Sequence, residues 1–88
     1  MIKKSMKVAL PNGLEARPVA ELVQVASRYD SSIYIEADSK RVNAKSIMGM
    51  MTLELDSGEA ITVSADGADE TSALEEVERF LKGDKVLG

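Results

Sequence analysis

Histidine and cysteine are both absent from the 88 residues of this chain. Without histidine there can be no phosphohistidine, no imidazole acid–base catalysis and no imidazole ligand for a metal at any position. Without cysteine there is no disulfide framework and no thiolate nucleophile, which fits a reducing compartment. An excess of positive charge is also missing. Eleven basic residues stand against 15 acidic ones, for a formal net charge of −4, and a nucleic-acid backbone is held by clustered positive charge. Any role in transcription is therefore indirect. No apolar run approaches the roughly 20 residues that span a bilayer, and Met1-Ile2-Lys3-Lys4 leads into no signal-like apolar core. The expected location is cytoplasmic, and neither a cofactor nor a metal site is expected.

What is present is the composition of an ordinary globular protein, 44% hydrophobic and 30% charged. The length suits one domain over residues 1–88 with one shallow core. Met6, Val8 and Leu10 alternate with Lys7 and Ala9 as a half-buried strand does, and Pro11-Asn12-Gly13 supplies a turn. Val19, Leu22, Val23 and Ala26 share one stripe of a helix that starts near Pro18 and runs to about Tyr29. Ile33 and Ile35 mark a second strand, and Asp38-Ser39-Lys40 turns into a short third strand around Arg41-Val42-Asn43. Ser46 has the side chain to cap a short helix carrying Ile47, Met48, Gly49, Met50 and Met51. Ile61, Val63 and Ala65 form a fourth strand, and Asp69 is a candidate N-cap for a last helix with Leu74, Val77, Phe80 and Leu81 inward and Gly83 as its stop. The order βαββαβα predicts an α+β fold, a four-stranded and mainly antiparallel sheet with helices on one face. The first strand is expected at a sheet edge, where it could pair with or swap into a second copy as a homodimer.

Two segments carry a family resemblance across nearly the whole chain. Gly13-Leu14-Glu15-Ala16-Arg17-Pro18 resembles the active-site motif of the HPr family, with Glu15 standing where the family has its phosphorylated histidine. Asn43-Ala44-Lys45-Ser46-Ile47-Met48-Gly49-Met50-Met51 resembles the regulatory serine segment of HPr proteins from low-GC Gram-positive bacteria. Ala65-Asp66-Gly67-Ala68-Asp69-Glu70 is a weaker third match. The resemblance implies the HPr-like open-faced β-sandwich with three helices on one face. It also implies a non-enzymatic role, most similar to the catabolite-repression branch of the family in bacilli, where the histidine is replaced and the serine kept. HPr kinase/phosphorylase would phosphorylate Ser46 with ATP, and the product would act as corepressor of catabolite control protein A, a LacI-type repressor. That branch carries glutamine at the replaced position, so Glu15 departs even from it.

The substitution removes the family's transfer chemistry. An imidazole nitrogen can carry a phosphoryl group at high transfer potential, whereas Glu15 would have to form a mixed acyl phosphate and would repel a dianionic donor. On sequence position alone, Glu15 is expected just before the first helix, where a negative charge gains about 0.3–1 kcal/mol. Ser46 could be a plain cap, but the retained neighbours favour phosphorylation, which adds about 1.5 to 2 negative charges beside apolar side chains. Met50 is expected in the core. The resemblance implies that Ile47, Met48 and Met51 form a docking patch and that Arg17 contacts either the serine phosphate or acidic groups of a partner. Lys45 is either a solvated charge or an aid to recognition of the site. Two alternatives stay open: a divergent phosphocarrier of the phosphoenolpyruvate-dependent sugar phosphotransferase system, and a binding regulator of a metabolic enzyme controlled through Ser46.

Overall fold

A computed structural model of the chain describes residues 1–10, 16–53 and 55–83. The predicted turn at Pro11-Asn12-Gly13, together with Leu14 and Glu15, lies outside the described residues. The elements are β1 (Ile2–Lys7), α1 (Ala16–Ser27), β2 (Ser32–Ala37), β3 (Lys40–Asn43), α2 (Ile47–Met51), β4 (Ala60–Asp66) and α3 (Glu70–Leu81). They form one antiparallel sheet in the order β1-β4-β2-β3, so β1 and β3 are its edges.

Register follows from the alternation of apolar residues. Met6 lies opposite Ile61, Val63 opposite Ile35, and Ala65 opposite Ile33. All six are buried beneath the helices, which is the arrangement a period of two requires when one face is covered. The other face is polar: Ser5 Oγ lies 3.3 Å from Thr62 Oγ1, and the Arg41 guanidinium stacks 4.1 Å above the Tyr34 ring. From the helices come Val19, Leu22, Val25 and Ala26 of α1, and Ala73, Leu74, Val77, Phe80 and Leu81 of α3. The α1 stripe is thus shifted from the predicted one, with Val25 in the core and Val23 only packed against it.

Three expectations need correction. The first strand starts at Ile2 and ends at Lys7, not at Leu10. Its beginning is disguised because Lys4, an inward position, carries a charge; the ammonium bonds Glu78 of α3 at 2.7 Å, the kind of inward charge that blunts an edge strand. The first helix ends at Ser27 rather than Tyr29, because Arg28 and Tyr29 already bond three residues back, to Val25 and Ala26. Asp69 does occupy the N-cap position of α3, but its side chain makes no capping bond.

The Asp69 carboxylate is used elsewhere. It accepts the backbone N–H groups of Asp30 and Ser31, both at 2.9 Å, and the hydroxyl of Ser31. The Ser31 hydroxyl and these two amides hold the carboxyl below the usual carboxylate range. The approach is close: a Cβ at Gly67 would lie 2.7 Å from Ser31 Cα, which leaves no room for a side chain there. Glu70 caps instead, accepting the Gly67 N–H at 3.1 Å. These bonds fasten the end of α1 to the start of α3 and so hold α1 as the platform on which α2 packs.

Candidate functional site

Five residues are too few for a helix to persist by propensity alone, and α2 is held at both ends by side chains. Ser46 precedes it in extended conformation, φ −107° and ψ 111°, and its Oγ accepts the Gly49 N–H at 3.2 Å. The Ser46 carbonyl accepts the Met50 N–H at 2.9 Å, and the Ser46 N–H donates to Asn43 O at 3.0 Å. At the far end, Thr52 Oγ1 donates to Gly49 O at 2.7 Å and Lys40 Nζ donates to Thr52 O at 2.9 Å. Ser46 is therefore a capping residue, as its side chain and position predict.

One turn of helix separates the core side chain from its neighbours. Met50 is fully buried, whereas Ile47, Met48 and Met51 are 46%, 82% and 54% exposed. These three are the large hydrophobic residues most exposed among the described residues apart from Met1. Scattered exposed apolar residues are ordinary, but three on one short helix make a contiguous patch. α2 itself carries no acidic residue in its first turn and no basic one in its last. Any charge that appears at Ser46 therefore acts on an otherwise uncharged helix.

Gly49 leaves the serine hydroxyl uncrowded: a Cβ there would sit 3.4 Å from Ser46 Oγ and 3.6 Å from Ser46 Cβ, in van der Waals contact with both. Ser46 is also half-buried rather than enclosed. The arrangement can accept an added anion facing backbone N–H groups, with apolar side chains displayed beside it.

Arg17 and Lys45 are both engaged within the chain, Arg17 with a residue of its own helix and not with the Ser46 segment. Arg17 is 92% exposed on its side chain and its Nε lies 3.4 Å from Glu21 Oε1, one helical turn on. An exposed pair of this kind contributes little to stability and can be exchanged for a stronger anionic partner. Lys45 is not a freely solvated charge: its Nζ donates to the Tyr29 carbonyl at 2.6 Å, and its N–H donates to Asn43 Oδ1 at 2.8 Å. Glu21, Lys40 and Gly49 were not singled out by the sequence. The four-residue spacing of Arg17 and Glu21 could have revealed their pairing, whereas no local pattern announces that Lys40 reaches Thr52.

Known proteins match this chain over most of its length. The family model described as the PTS HPr component phosphorylation site matches residues 2–83. The HPr-like protein Crh of Halalkalibacterium halodurans is 49% identical over 82 residues, covering 93% of this chain and 98% of the relative. Among solved structures, the phosphocarrier protein HPr of Bacillus anthracis aligns with a TM-score of 0.88 and 46% identity, over 91% of this chain and 95% of the other. Crh of Bacillus subtilis, solved as a swapped, intertwined dimer, aligns with a TM-score of 0.78 and 42% identity, over 98% of this chain and 99% of the other.

Proposed function

The chain belongs to the HPr family, and on that premise we propose that it is a regulator switched by phosphate on Ser46 and not a sugar-transport phosphocarrier. The observation that carries the reading is a contrast between two positions. At the family's transfer position stands Glu15, whose carboxylate would have to form an acyl phosphate against its own charge. At Ser46 the hydroxyl caps a short helix that displays Ile47, Met48 and Met51, with space at Gly49 for an added group.

In this reading HPr kinase/phosphorylase transfers a phosphoryl group from ATP to Ser46 Oγ. The phosphate exchanges one capped N–H for several charge-assisted bonds at the start of α2. Catabolite control protein A, a LacI-type repressor, then docks on Ile47, Met48 and Met51, with Arg17 released from Glu21 to an acidic group of the partner or to the phosphate. DNA contact belongs to the repressor, which is consistent with the net charge of −4 on this chain. The protein acts as one domain, in the cytoplasm, without catalysis of its own. A second copy is a further proposed partner, because β1 is an edge strand and swapping is the arrangement reported for Crh of Bacillus subtilis.

Binding of the Ser46-phosphorylated protein and of Ser46→Ala to the purified repressor tests the reading. Tight binding by the phosphorylated form alone supports it. Equal binding by both forms would leave a regulator of some metabolic enzyme as the better account of the same patch.

A further inference from the structure

We propose that Met48 and Met51 form a peroxide-sensitive modification site whose oxidation releases the partner that Ser46 phosphate recruits. The inference rests on the docking reading of α2 and adds a second chemical input to it. The chain has five methionines and no cysteine, so thioethers are its oxidisable sulfurs. They are sharply divided by burial. Met48 and Met51 are 82% and 54% exposed, while Met50, between them, is fully buried and Met6 nearly so. Met1 is exposed as well, but it lies at the N-terminus, where its amino group pairs with Asp66 and Glu70.

Reactivity at methionine follows access to the sulfur. A sulfur lone pair attacks one oxygen of hydrogen peroxide; an S–O bond forms, the O–O bond breaks, and a proton shift releases water. The sulfur loses two electrons and the peroxide gains them. The product is a sulfoxide, polar and strongly accepting, in place of a flexible apolar side chain. On α2 that change falls on the residues that would lie against a partner. It leaves the core intact because Met50 is shielded. Reductases specific for methionine sulfoxide reverse the step, so the device can reset without new synthesis.

The test uses the full chain phosphorylated on Ser46, treated with hydrogen peroxide and mapped by peptide mass spectrometry before binding to the repressor is measured. Met48 and Met51 are expected to gain oxygen about tenfold faster than Met50. Repressor affinity is expected to fall by about tenfold, in proportion to oxidation on α2, and to recover with sulfoxide reductase. In a Met48→Leu/Met51→Leu variant, whatever repressor affinity the leucines retain is expected to be the same before and after peroxide treatment, although Met1 remains oxidisable. Affinity unchanged by oxidation, or oxygen gained at Met50 as fast as at its neighbours, would overturn the inference while leaving the corepressor reading intact. Failure of the untreated phosphorylated protein to bind would overturn that reading and the switch together.

Discussion

The ammonium of Lys45 donates a 2.6 Å hydrogen bond to the carbonyl oxygen of Tyr29, joining the residue before Ser46 to the chain that leaves α1. The position of the capping serine over α1 therefore depends on an internal bond as well as on packing. Lys45→Met keeps the aliphatic stem and deletes the donor. It is expected to lower stability by about 1 kcal/mol, the usual worth of a partly buried hydrogen bond. Urea denaturation checks this, with a shifted midpoint and an unchanged slope as the expected signature. A midpoint equal to that of the parent would mean that the bond contributes nothing in solution.

Gly49 separates the two states of Ser46. In the unmodified protein the space for a methyl group exists, with the nearest atom 3.4 Å away, and alanine is the better helix former by about 0.8–1 kcal/mol. Gly49→Ala is therefore expected to be as stable as the parent, or more so, before phosphorylation. After phosphorylation the methyl group competes with the phosphoryl oxygens, and the gain is expected to vanish or reverse. Paired denaturation curves of both proteins in both states measure it. A gain that survives phosphorylation would show that the phosphate points away from Gly49.

The Asp69 bonds to Ser31 and Asp30 make acid a destabilising condition. Because the Asp69 carboxyl is held below its ordinary range, its contribution is fully present above the unfolded-state pKa and is lost as pH falls through the lower folded-state value. Glu70, held down by the Gly67 N–H and the N-terminal ammonium, and Glu78, held down by Lys4 and Lys82, act in the same direction. Stability is thus expected to be level near neutrality and to fall below the normal carboxylate range. Asp69→Asn is expected to be less stable at neutral pH and to show a shallower acid loss, with Glu70 and Glu78 supplying the remainder. Thermal melts of the two proteins across that pH range decide it, and parallel pH curves would remove Asp69 as a contributor.

Much of this architecture was legible in the sequence because the signals are periodic. Ile33, Ile35, Ile61 and Val63 alternate as their burial does, and Leu74, Val77 and Leu81 fall on one helical stripe. Spacing says only that some of Ile47, Met48, Met50 and Met51 fill the core, and it is the family resemblance that sets Met50 apart from the other three. What escaped was non-local. Lys4 reads as a surface charge because nothing in its neighbourhood announces Glu78, which lies in α3. Asp69 reads as a cap because that is what aspartate at such a position usually does, and the competing donors on Asp30 and Ser31 are 39 and 38 residues away. The bond from Lys45 to Tyr29 escapes for the same reason: its acceptor is a carbonyl with no sequence signature, so the sequence leaves Lys45 open between a solvated charge and an aid to recognition.

Glu15→His offers a direct reading of how much of the older chemistry persists. Arg17 and Pro18 of the family motif remain. The variant is therefore expected to accept some phosphate from the phosphoenolpyruvate-dependent system, where the parent accepts none. Incorporation of label in the folded variant measures it. No incorporation would show that the surface around position 15 has also diverged.

The central division between Glu15 and Ser46 comes down to where phosphate lands. The protein can be incubated separately with the phosphoenolpyruvate-dependent enzyme and with HPr kinase/phosphorylase plus ATP, kept near neutral pH so that an acyl phosphate survives, and mapped by mass spectrometry. Phosphate on Ser46 from the ATP-dependent kinase, with none on Glu15 from either donor, is the predicted result; phosphate on Glu15 and none on Ser46 would contradict it.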